Sequence, residues 1–433
     1  MSIEIKRDKY LEMLQIRKNN GMIKVITGIR RCGKSYLLNK LFFEQLLKDD
    51  VDEQHIIRFA FDSADDLVLI GENLLELEKS NGKVDPEKFM AYIRTKITDD
   101  GMYYLLLDEV QMLGSFEAVL NGYLRKDNMD VYVTGSNSKF LSSDIITEFE
   151  GRGDEIHVLP LSFSEFFSVY DGSKDEAFDD YSVYGGLPAV AMMKTEEQKA
   201  NYLIMQLRNV YLKDIIKRYH LNSDQDIGEL LDVIASGIST LTNPKKLANT
   251  FRSVKHSSIC DVTIRKYISH MEDAFMLSRV KRFDVKGKRY IETPYKIYFE
   301  DIGLRNARLN FRQIELTHIM ENIIYNELRY RGYQVDVGTV ESREKDENGK
   351  EVRKQLEIDF VANQGSRRYY IQSAYEIPND AKWEQETRSF DKTGDSFKKI
   401  IIVERSMKPR RDDKGYVTMG VKEFLLTPNS LEL

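Results

Sequence analysis

The sequence has few of the residues that build covalent or metal-based frameworks. Of its 433 residues only two are cysteines, Cys32 and Cys260, and no cluster of cysteine and histidine offers a zinc site. Because Cys32 lies inside a glycine-rich loop, we expect no structural disulfide, and the reducing cytoplasm is the expected compartment.

Long apolar runs and an excess of positive charge are also missing. No run approaches the ~20 residues that cross a bilayer, and no apolar core of a signal peptide follows the charged stretch Met1–Arg7. We therefore expect no membrane partner. The 64 lysines and arginines are outnumbered by 70 aspartates and glutamates, which leaves a net charge of −6. Any contact with DNA must therefore come from a local basic patch.

The sequence does have a glycine-rich loop between an apolar run and an amphipathic stretch. This loop reads Gly28-Ile29-Arg30-Arg31-Cys32-Gly33-Lys34-Ser35, the G-x-x-x-x-G-K-S pattern of a phosphate-binding loop. Backbone N–H groups and the positive end of the following helix surround phosphate oxygens in such loops. We predict that these eight residues bind ATP, with Lys34 at the β- and γ-phosphates and the Ser35 hydroxyl on Mg²⁺. Arg30 and Arg31 either add phosphate contacts or face a lid or a partner.

A second nucleotide motif lies about eighty residues further on. The apolar run Tyr103–Leu107 predicts a buried parallel strand and ends in Asp108 and Glu109. A carboxylate at such a strand tip can hold Mg²⁺, a role that we assign to Asp108. We assign Glu109 to the general base that polarises the attacking water. The alternative is a solvated acidic pair at a strand end.

The order of the elements predicts several domains. Residues 1–161 alternate strands and helices, which is typical of a doubly wound, mostly parallel α/β sheet of the P-loop NTPase class. We expect a helical lid over 162–225, a winged helix-turn-helix over 226–310 and a small α/β domain over 311–433. In the last of these the highly charged stretch 341–354 is expected to be an exposed loop.

The predicted winged helix carries a local basic patch. Arg265 and Lys266 lie on its predicted recognition helix, which enters the major groove in such domains. Lys286 and Lys288 lie on its wing, where they would contact phosphates. These four residues are the candidate DNA contacts; the alternative is that the winged helix is a protein-interaction module or a spacer.

Further motifs follow the two nucleotide motifs in a fixed order. They are Thr134-Gly135-Ser136-Asn137-Ser138, Gly151-Arg152, Leu159-Pro160-Leu161-Ser162-Phe163-Ser164-Glu165-Phe166 and Tyr184-Gly185-Gly186-Leu187-Pro188. Together they resemble a large prokaryotic family of AAA+-like ATPases of mostly unknown function, over nearly the whole chain. The resemblance implies that Ser136 or Asn137 senses the γ-phosphate and orients water. It also implies that Arg152 is an arginine finger, which requires a homo-oligomer if a neighbouring subunit supplies it. The alternatives are a simple Gly-Ser-Asn turn and a surface arginine that pairs with a nearby acid.

The same resemblance implies a C-terminal domain with a PD-(D/E)xK nuclease fold. The helix-borne glutamate of that fold maps onto Glu321 and the strand aspartate onto Asp359, while Gln372 stands at a third metal-ligand position. Ala374 stands where the lysine that helps to activate water is expected. We therefore expect a degenerate nuclease domain that is kept for binding or assembly, with an active nuclease as the alternative.

The sequence thus predicts an AAA+-like ATPase that uses ATP and Mg²⁺ and couples its nucleotide state to a macromolecular partner. That partner is either DNA, bound through the winged helix, or a protein. The rival hypotheses are a nucleotide-gated DNA-binding switch and an ATP-dependent nuclease.

Overall fold

The computed structural model describes residues 4–80, 82–135, 151–221, 224–254, 259–345 and 351–433. The chain divides into two compact units. The first, here called the N-terminal unit, is Glu4–Leu159 with Asp273–Phe275, and the second, the C-terminal unit, is Pro160–Glu272 with Met276–Leu433. No helix in the described ranges is long and apolar enough to cross a membrane.

The N-terminal unit is built on a parallel sheet with the strand order β2-β3-β4-β1-β5. Its strands are β1 Ile23–Thr27, β2 Ile56–Ala60, β3 Tyr103–Asp108, β4 Met129–Thr134 and β5 Gly153–His157. Every residue of β1, β3 and β4 is buried, as expected for strands covered on both faces. The predicted parallel α/β sheet of a P-loop NTPase core is confirmed.

Helices connect these strands. They are Asp8–Ile16, Lys34–Tyr36, Phe43–Lys48, Ala64–Leu69, Leu74–Ser80, Pro86–Lys96 and Phe116–Leu124, with a π-helix Leu37–Phe42 and 3₁₀ turns at Glu53–His55 and Val110–Met112. The π-helix joins the helix that starts at Lys34 to the one that ends at Lys48, so a single helical rod follows the glycine-rich loop.

Helices form the first part of the C-terminal unit and also occur between and after its strands. They are Phe163–Phe167, Lys174–Tyr184, Pro188–Ala191, Glu196–Gln206, Lys213–Tyr219, Asp224–Ser236, Pro244–Val254, Asp261–Asp273, Ile302–Arg308, Leu316–Tyr330, Asp380–Thr387 and Val421–Leu426, with a π-helix Leu207–Leu212 and a 3₁₀ turn Phe390–Lys392. Ser162 and Glu165 form a reciprocal capping box at the start of the first helix. The Ser-Phe-Ser-Glu part of the family motif is therefore a helix start.

The glycine pair of the other family motif has a structural cause as well. Gly185 has φ +74°, and a Cβ there would lie 2.5 Å from Oδ1 of Asp301. Asp301 accepts the N–H of Gly186 at 2.8 Å and caps the helix Ile302–Arg308 through the N–H of Leu304 at 3.0 Å. Residue 185 must therefore be small to let this buried carboxylate bind two backbone segments, whereas a Cβ at Gly186 would lie 2.4 Å from the carbonyl oxygen of Leu161.

An eight-stranded sheet forms the rest of the C-terminal unit, in the order β12-β13-β11-β10-β9-β8-β6-β7. Its strands are β6 Leu277–Asp284, β7 Arg289–Phe299, β8 Gln334–Lys345, β9 Glu351–Gln364, β10 Arg367–Ala374, β11 Lys398–Val403, β12 Arg410–Arg411 and β13 Val417–Gly420. β6 pairs in parallel with β8 from Arg282 to Asp284. The hairpin predicted as the wing of one domain thus shares a sheet with the strands predicted for the next, and no sheet boundary falls at residue 310.

The expectation of a loop is wrong for the described parts of 341–354, which are residues 341–345 and 351–354. β8 and β9 pair antiparallel through this stretch, from Glu341 opposite Gln355 to Lys345 opposite Glu351. Charged side chains on a two-stranded arm can all face solvent, so the same composition fits a hairpin and a loop. Composition therefore could not separate these two structures.

Candidate nucleotide-binding site

The glycine-rich loop follows β1 at the carboxyl edge of the parallel sheet. Gly28, the first residue after β1, has φ +137°, and a Cβ there would lie 2.1 Å from the carbonyl oxygen of Val158. Any side chain would push the loop out of place, so this position requires glycine. Gly33 ends the loop as the N-cap of the helix that starts at Lys34.

Buried and exposed residues alternate within the loop. Ile29 and Cys32 are fully buried, whereas Arg30 and Arg31 are exposed. Arg7 anchors the loop from the N-terminal segment, because its guanidinium donates a 3.0 Å hydrogen bond to the carbonyl of Cys32. The loop is thus fixed through its apolar residues and presents its two arginines outward.

Lys34 lies against the inner side of this loop. Its side chain is only 5% exposed, and its Nζ donates to the carbonyl oxygens of Gly28 at 2.9 Å and Ile29 at 3.1 Å. Ser35 is exposed in the first turn of the helical rod. The ammonium, the hydroxyl and the positive end of the helix are therefore together at one place, as phosphate binding requires.

Asp108 ends β3 and is held in one orientation by neutral groups. The hydroxyl of Thr134, at the end of β4, donates to Oδ1 of Asp108. The side-chain amide of Asn39, on the helical rod, donates to Oδ2 at 3.4 Å. Both of these donors are neutral, so they hold the carboxylate in place without forming an ion pair with it.

Glu109 adopts a backbone conformation that is rare for a residue with a side chain. Its φ is +52°, and its N–H donates to the Thr134 hydroxyl at 3.1 Å. The Gln111 side chain donates to Oε2 of Glu109. Left-handed backbone at a non-glycine residue costs roughly 1 kcal/mol and often marks functional sites. Thr134 thus links the two carboxylate residues by a single hydroxyl.

A third carboxylate, Asp62, follows β2 at the same edge. Partial burial, together with the nearby carboxylates of Glu109 and Asp108, raises the pKa of Asp62 above its usual value. Like charges that crowd one another in this way favour the binding of a cation.

Sheet topology explains why these residues meet. In a parallel sheet all strands end at the same edge, and ligands bind there. β4 lies between β1 and β3, so Thr134 stands between the glycine-rich loop and Asp108. The structure therefore brings the loop Gly28–Ser35, Asp108 and Glu109 to one edge.

The other candidate residues of this unit lie elsewhere. Ser136 and Asn137 lie outside the described residues. Arg152 precedes β5, and its carbonyl accepts the N–H of Ile23, the first residue of β1, at 2.9 Å. At ~3.3 Å per residue the glycine-rich loop begins about 16 Å away, at the other end of β1. Arg152 therefore cannot reach a nucleotide bound to its own chain, and an arginine finger here requires a second copy.

Sequence reasoning missed several residues of this site. Thr134, Asn39, Gln111 and Arg7 all hold loop or carboxylate atoms by hydrogen bonds. Of these residues only Thr134 could have been found from the sequence. It is a polar residue at the end of a buried strand, and such strand ends meet at the same edge as Asp108. The others reach the site from helices and turns whose direction the sequence pattern does not fix.

The candidate DNA contacts are all exposed in the C-terminal unit. Arg265 and Lys266 lie on the helix Asp261–Asp273, and Lys286 and Lys288 lie in the turn between β6 and β7. Arg265 has a long ion pair of 3.8 Å with Asp261, one helical turn away. A pair at that distance on the surface leaves the guanidinium largely available to another anion.

Two candidate nuclease residues, Glu321 and Asp359, lie close together around a lysine that the sequence did not indicate. Glu321, on the helix Leu316–Tyr330, and Asp359, on β9, both contact the buried ammonium of Lys296 from β7. Gln372 precedes Ser373, whose N–H donates to Asp359 at 2.9 Å. Within the described ranges no group of three or more histidine, cysteine, aspartate or glutamate residues could hold a metal ion.

Two family models match separate segments of the chain. Residues 20–167 match the model of an AAA domain, and residues 175–315 match a domain of unknown function, DUF8612. The first match contains the glycine-rich loop, the acidic strand and the whole parallel sheet.

Two relatives match almost the full length. An uncharacterized protein of Haemophilus influenzae is 30% identical over 428 residues, which cover 98% of both chains. An uncharacterized protein of Methanocaldococcus jannaschii is 24% identical, over 95% of this chain and 88% of that one. Among solved structures, that of Cdc6p from Pyrobaculum aerophilum covers 75% of this chain and 97% of its own at 13% identity, with a TM-score of 0.31. A score that low adds nothing to the argument.

The full-length match and the AAA match, which covers the nucleotide-site residues, lead to one conclusion. The chain belongs to the family of the Haemophilus influenzae protein, and its N-terminal unit carries an AAA domain with a P-loop NTPase core.

Proposed function

We propose that the N-terminal unit binds ATP with Mg²⁺ and hydrolyses it. The observation that carries this proposal is the single hydroxyl of Thr134, which contacts both the Asp108 carboxylate and the backbone of Glu109 beside the glycine-rich loop. This buried hydroxyl fixes the Asp108 carboxylate and the Glu109 backbone at the sheet edge where ligands of parallel α/β sheets bind.

In this proposal the loop N–H groups and Lys34 bind the β- and γ-phosphates, while Ser35 and Asp108 hold Mg²⁺. Bound Mg²⁺ supplies positive charge that stabilises the oxygens of the transferred phosphoryl group. The Glu109 carboxylate accepts a proton from the attacking water, and Gln111 fixes its orientation. Ser136 or Asn137 would contact the γ-phosphate. Such catalysis consists of positioning and charge stabilisation.

The decisive experiment is ATP hydrolysis by the wild type and by Glu109→Gln. We expect the variant to retain nucleotide binding and to lose roughly 10²-fold or more in turnover, since the general base is gone. Glu87→Gln, an exposed glutamate on the helix Pro86–Lys96, is the matched control and should behave as the wild type. Equal turnover of the wild type and Glu109→Gln would remove Glu109 from this role.

We further propose that nucleotide state is coupled to a macromolecular partner, and that DNA is the first to test. Three helices, Asp224–Ser236, Pro244–Val254 and Asp261–Asp273, precede the β6–β7 hairpin in the order of a winged helix. The exposed Arg265 and Lys266 support this choice. The helices between residues 163 and 219 would then act as the lid.

Duplex DNA added to the same ATPase assay tests the coupling. A change in rate that weakens with salt, and that is lost in Arg265→Ala/Lys266→Ala, would support DNA as the partner. Lys194→Ala/Lys408→Ala removes two exposed lysines elsewhere in the unit and serves as the charge-matched control. A Glu109-dependent activity that ignores DNA would point to a protein partner.

Arg152 is proposed as an arginine finger that acts on a neighbouring copy. Its place before β5, at the end of the sheet away from the glycine-rich loop, supports action on a neighbouring copy. The test mixes Arg152→Ala with Glu109→Gln, each expected to be inactive alone. In mixed oligomers the intact Arg152 of one chain would serve the intact Glu109 of the other. Recovery of activity supports the role, and a mixture as inactive as its components contradicts it.

A further inference from the structure

An acidic cluster in the C-terminal unit surrounds a lysine. Nζ of Lys296, on β7, lies 2.8 Å from Glu321, 2.7 Å from Glu357 and 3.3 Å from Asp359. Lys296 is only 3% exposed. The ammonium thus lies within contact distance of one oxygen from each of three carboxylates, as a bound cation would.

The carboxylate oxygens have further partners from the protein. The Tyr298 hydroxyl donates to Oε1 of Glu321 at 2.7 Å, the same oxygen that faces Lys296. The N–H of Ser373 donates to Oδ2 of Asp359 at 2.9 Å, so both oxygens of Asp359 are bound. A divalent ion at this place would have to displace the ammonium and compete with these donors.

The electrostatics of the cluster keep the lysine charged. Burial alone would lower the pKa of Lys296, but the carboxylates of Glu321, Asp359 and Glu357 outweigh burial and hold it well above its usual value. Burial raises the pKa of Glu321 to about 7. A second cation beside this permanent positive charge would be repelled.

The fold delivers the lysine from a distant strand. β7 is three strands away from β9 in the sheet order. β6 pairs with β8 only over Arg282–Asp284, and a bulge between Val280 and Arg282 bends the β6–β7 hairpin. The far half of the hairpin, where Val280 pairs with Lys296, is not paired with β8 and can therefore place Lys296 over Asp359.

The residues here do not fit the metal that a PD-(D/E)xK nuclease uses. Mg²⁺ prefers about six oxygen ligands, several of them waters, in a nearly octahedral arrangement. Here a side-chain ammonium occupies the centre of the carboxylates. The strand that should bring the catalytic lysine has Ala374 at that position, packed in the apolar core.

We propose that the ammonium of Lys296 is the resident cation of this acidic cluster. The cluster therefore binds no divalent ion, and its carboxylates join β7, β9 and the helix Leu316–Tyr330 instead of cutting nucleic acid. This proposal does not depend on the nucleotide site.

Titration of the nucleotide-free full chain with Mn²⁺, followed by electron paramagnetic resonance of free Mn²⁺, tests it. We expect the wild type and Asp359→Asn to bind Mn²⁺ equally, since the cluster contributes no site. Lys296→Met should gain a Mn²⁺ site. Its cluster should bind Mn²⁺ at least about tenfold more tightly than the wild-type cluster does, because the competing charge is gone. That site should vanish in Lys296→Met/Asp359→Asn.

Three results would overturn the proposal. One is a wild-type Mn²⁺ site that Asp359→Asn abolishes, and another is Mn²⁺-dependent cleavage of duplex DNA that Asp359→Asn abolishes. A folded Lys296→Met chain that gains no site would also contradict it, because the lysine would then not fill a place for a cation. If Lys296→Met does not fold, Glu357→Gln joins Asp359→Asn: Mn²⁺ binding equal to the wild type in both variants supports the proposal, and loss of a wild-type site in either overturns it.

Discussion

Two carboxylate clusters among the described residues have opposite kinds of partner, neutral donors in the N-terminal unit and an ammonium in the C-terminal unit. In the N-terminal unit Asp108 is contacted by a hydroxyl and an amide, while Glu109 is held by an amide. In the C-terminal unit Glu321, Glu357 and Asp359 are contacted by an ammonium. Neutral donors orient an acid and leave its charge, whereas an ammonium cancels it. The first cluster suits an ion from solution, and the second has its ion built in.

Two buried lysines of the chain have pKa shifts of opposite sign. Lys24, in the middle of β1, is fully buried and paired with Asp130, and burial outweighs this pairing and lowers the pKa of Lys24. Lys296 is almost as buried, but three carboxylates raise its pKa. For Lys24 desolvation outweighs the attraction of Asp130 and Asp154, whereas for Lys296 the three contacting carboxylates outweigh desolvation.

The largest expected difference between the two clusters is in ATP turnover, when one aspartate of each is replaced by asparagine. Asp108→Asn removes the carboxylate assigned to Mg²⁺, so we expect ATP turnover to fall roughly 10³-fold, the equivalent of several kcal/mol. Asp359→Asn should leave turnover unchanged. Steady-state ATP hydrolysis of both variants checks this expectation. Equal activity of wild type and Asp108→Asn would show that the first cluster is structural as well.

For the stability of the C-terminal unit we expect the opposite: Asp359→Asn should have the larger effect and Asp108→Asn the smaller one. Asp359→Asn leaves Lys296 with two carboxylates instead of three, and we expect it to destabilise the C-terminal unit by about 2 kcal/mol. Asp108→Asn should leave that unit unaffected. The single tryptophan of the chain, Trp383, packs against the core of this unit, so its fluorescence in denaturant unfolding reports the change. Asp127→Asn, an exposed aspartate, is the control, and an unshifted transition in Asp359→Asn would mean that the ion pairs contribute nothing.

Local patterns in the sequence predicted Asp108 and Glu109 of the first cluster. For the second cluster the family resemblance implied Glu321 and Asp359, but no pattern indicated Lys296. Asp108 and Glu109 are adjacent and follow an apolar run, and parallel strands bring their ends to one edge, so the site follows from order along the chain. Lys296 lies 63 residues before Asp359, inside the buried run Tyr295–Phe299. Its only signal is a lysine in an apolar strand. Which acids it meets depends on a bulge in β6 and on how far the hairpin bends, and neither has a signature in the pattern.

The prediction of domains meets the same difficulty, because a sequence pattern does not show which distant segments pair. The turn that carries Lys286 and Lys288 could be predicted, because turn residues are a local signal, and it lies between β6 and β7. The strand β8, which pairs with β6, begins at Gln334, after two intervening helices, and sequence periodicity does not say which strands pair. The strained backbone of Glu109 is equally unmarked, since its φ of +52° depends on the Thr134 hydroxyl from another strand.

The role of neutral donors can be tested at Thr134. Thr134→Val keeps the shape of this buried side chain but removes the hydroxyl that contacts Asp108 and the Glu109 N–H. We expect turnover to fall about tenfold, which corresponds to the loss of one charge-assisted hydrogen bond of about 1.4 kcal/mol. Thr134→Ser retains the hydroxyl and should keep most of the activity. If Val and Ser variants lose activity equally, the methyl group and its packing matter instead of the hydroxyl.

The smallest effect is expected at Asn39, whose amide reaches Asp108 at 3.4 Å, near the limit of a hydrogen bond. Asn39→Ala should raise the Mg²⁺ concentration for half-maximal hydrolysis by roughly two- to threefold, since a contact this long is worth about 0.5 kcal/mol. Asn39→Asp should lower that concentration, because it adds a carboxylate next to Asp108. The two variants remove the same amide and differ in charge, so their Mg²⁺ titrations should move in opposite directions. Shifts in the same direction would mean that the amide acts on the helical rod, and that Asp108 keeps its orientation through Thr134 alone.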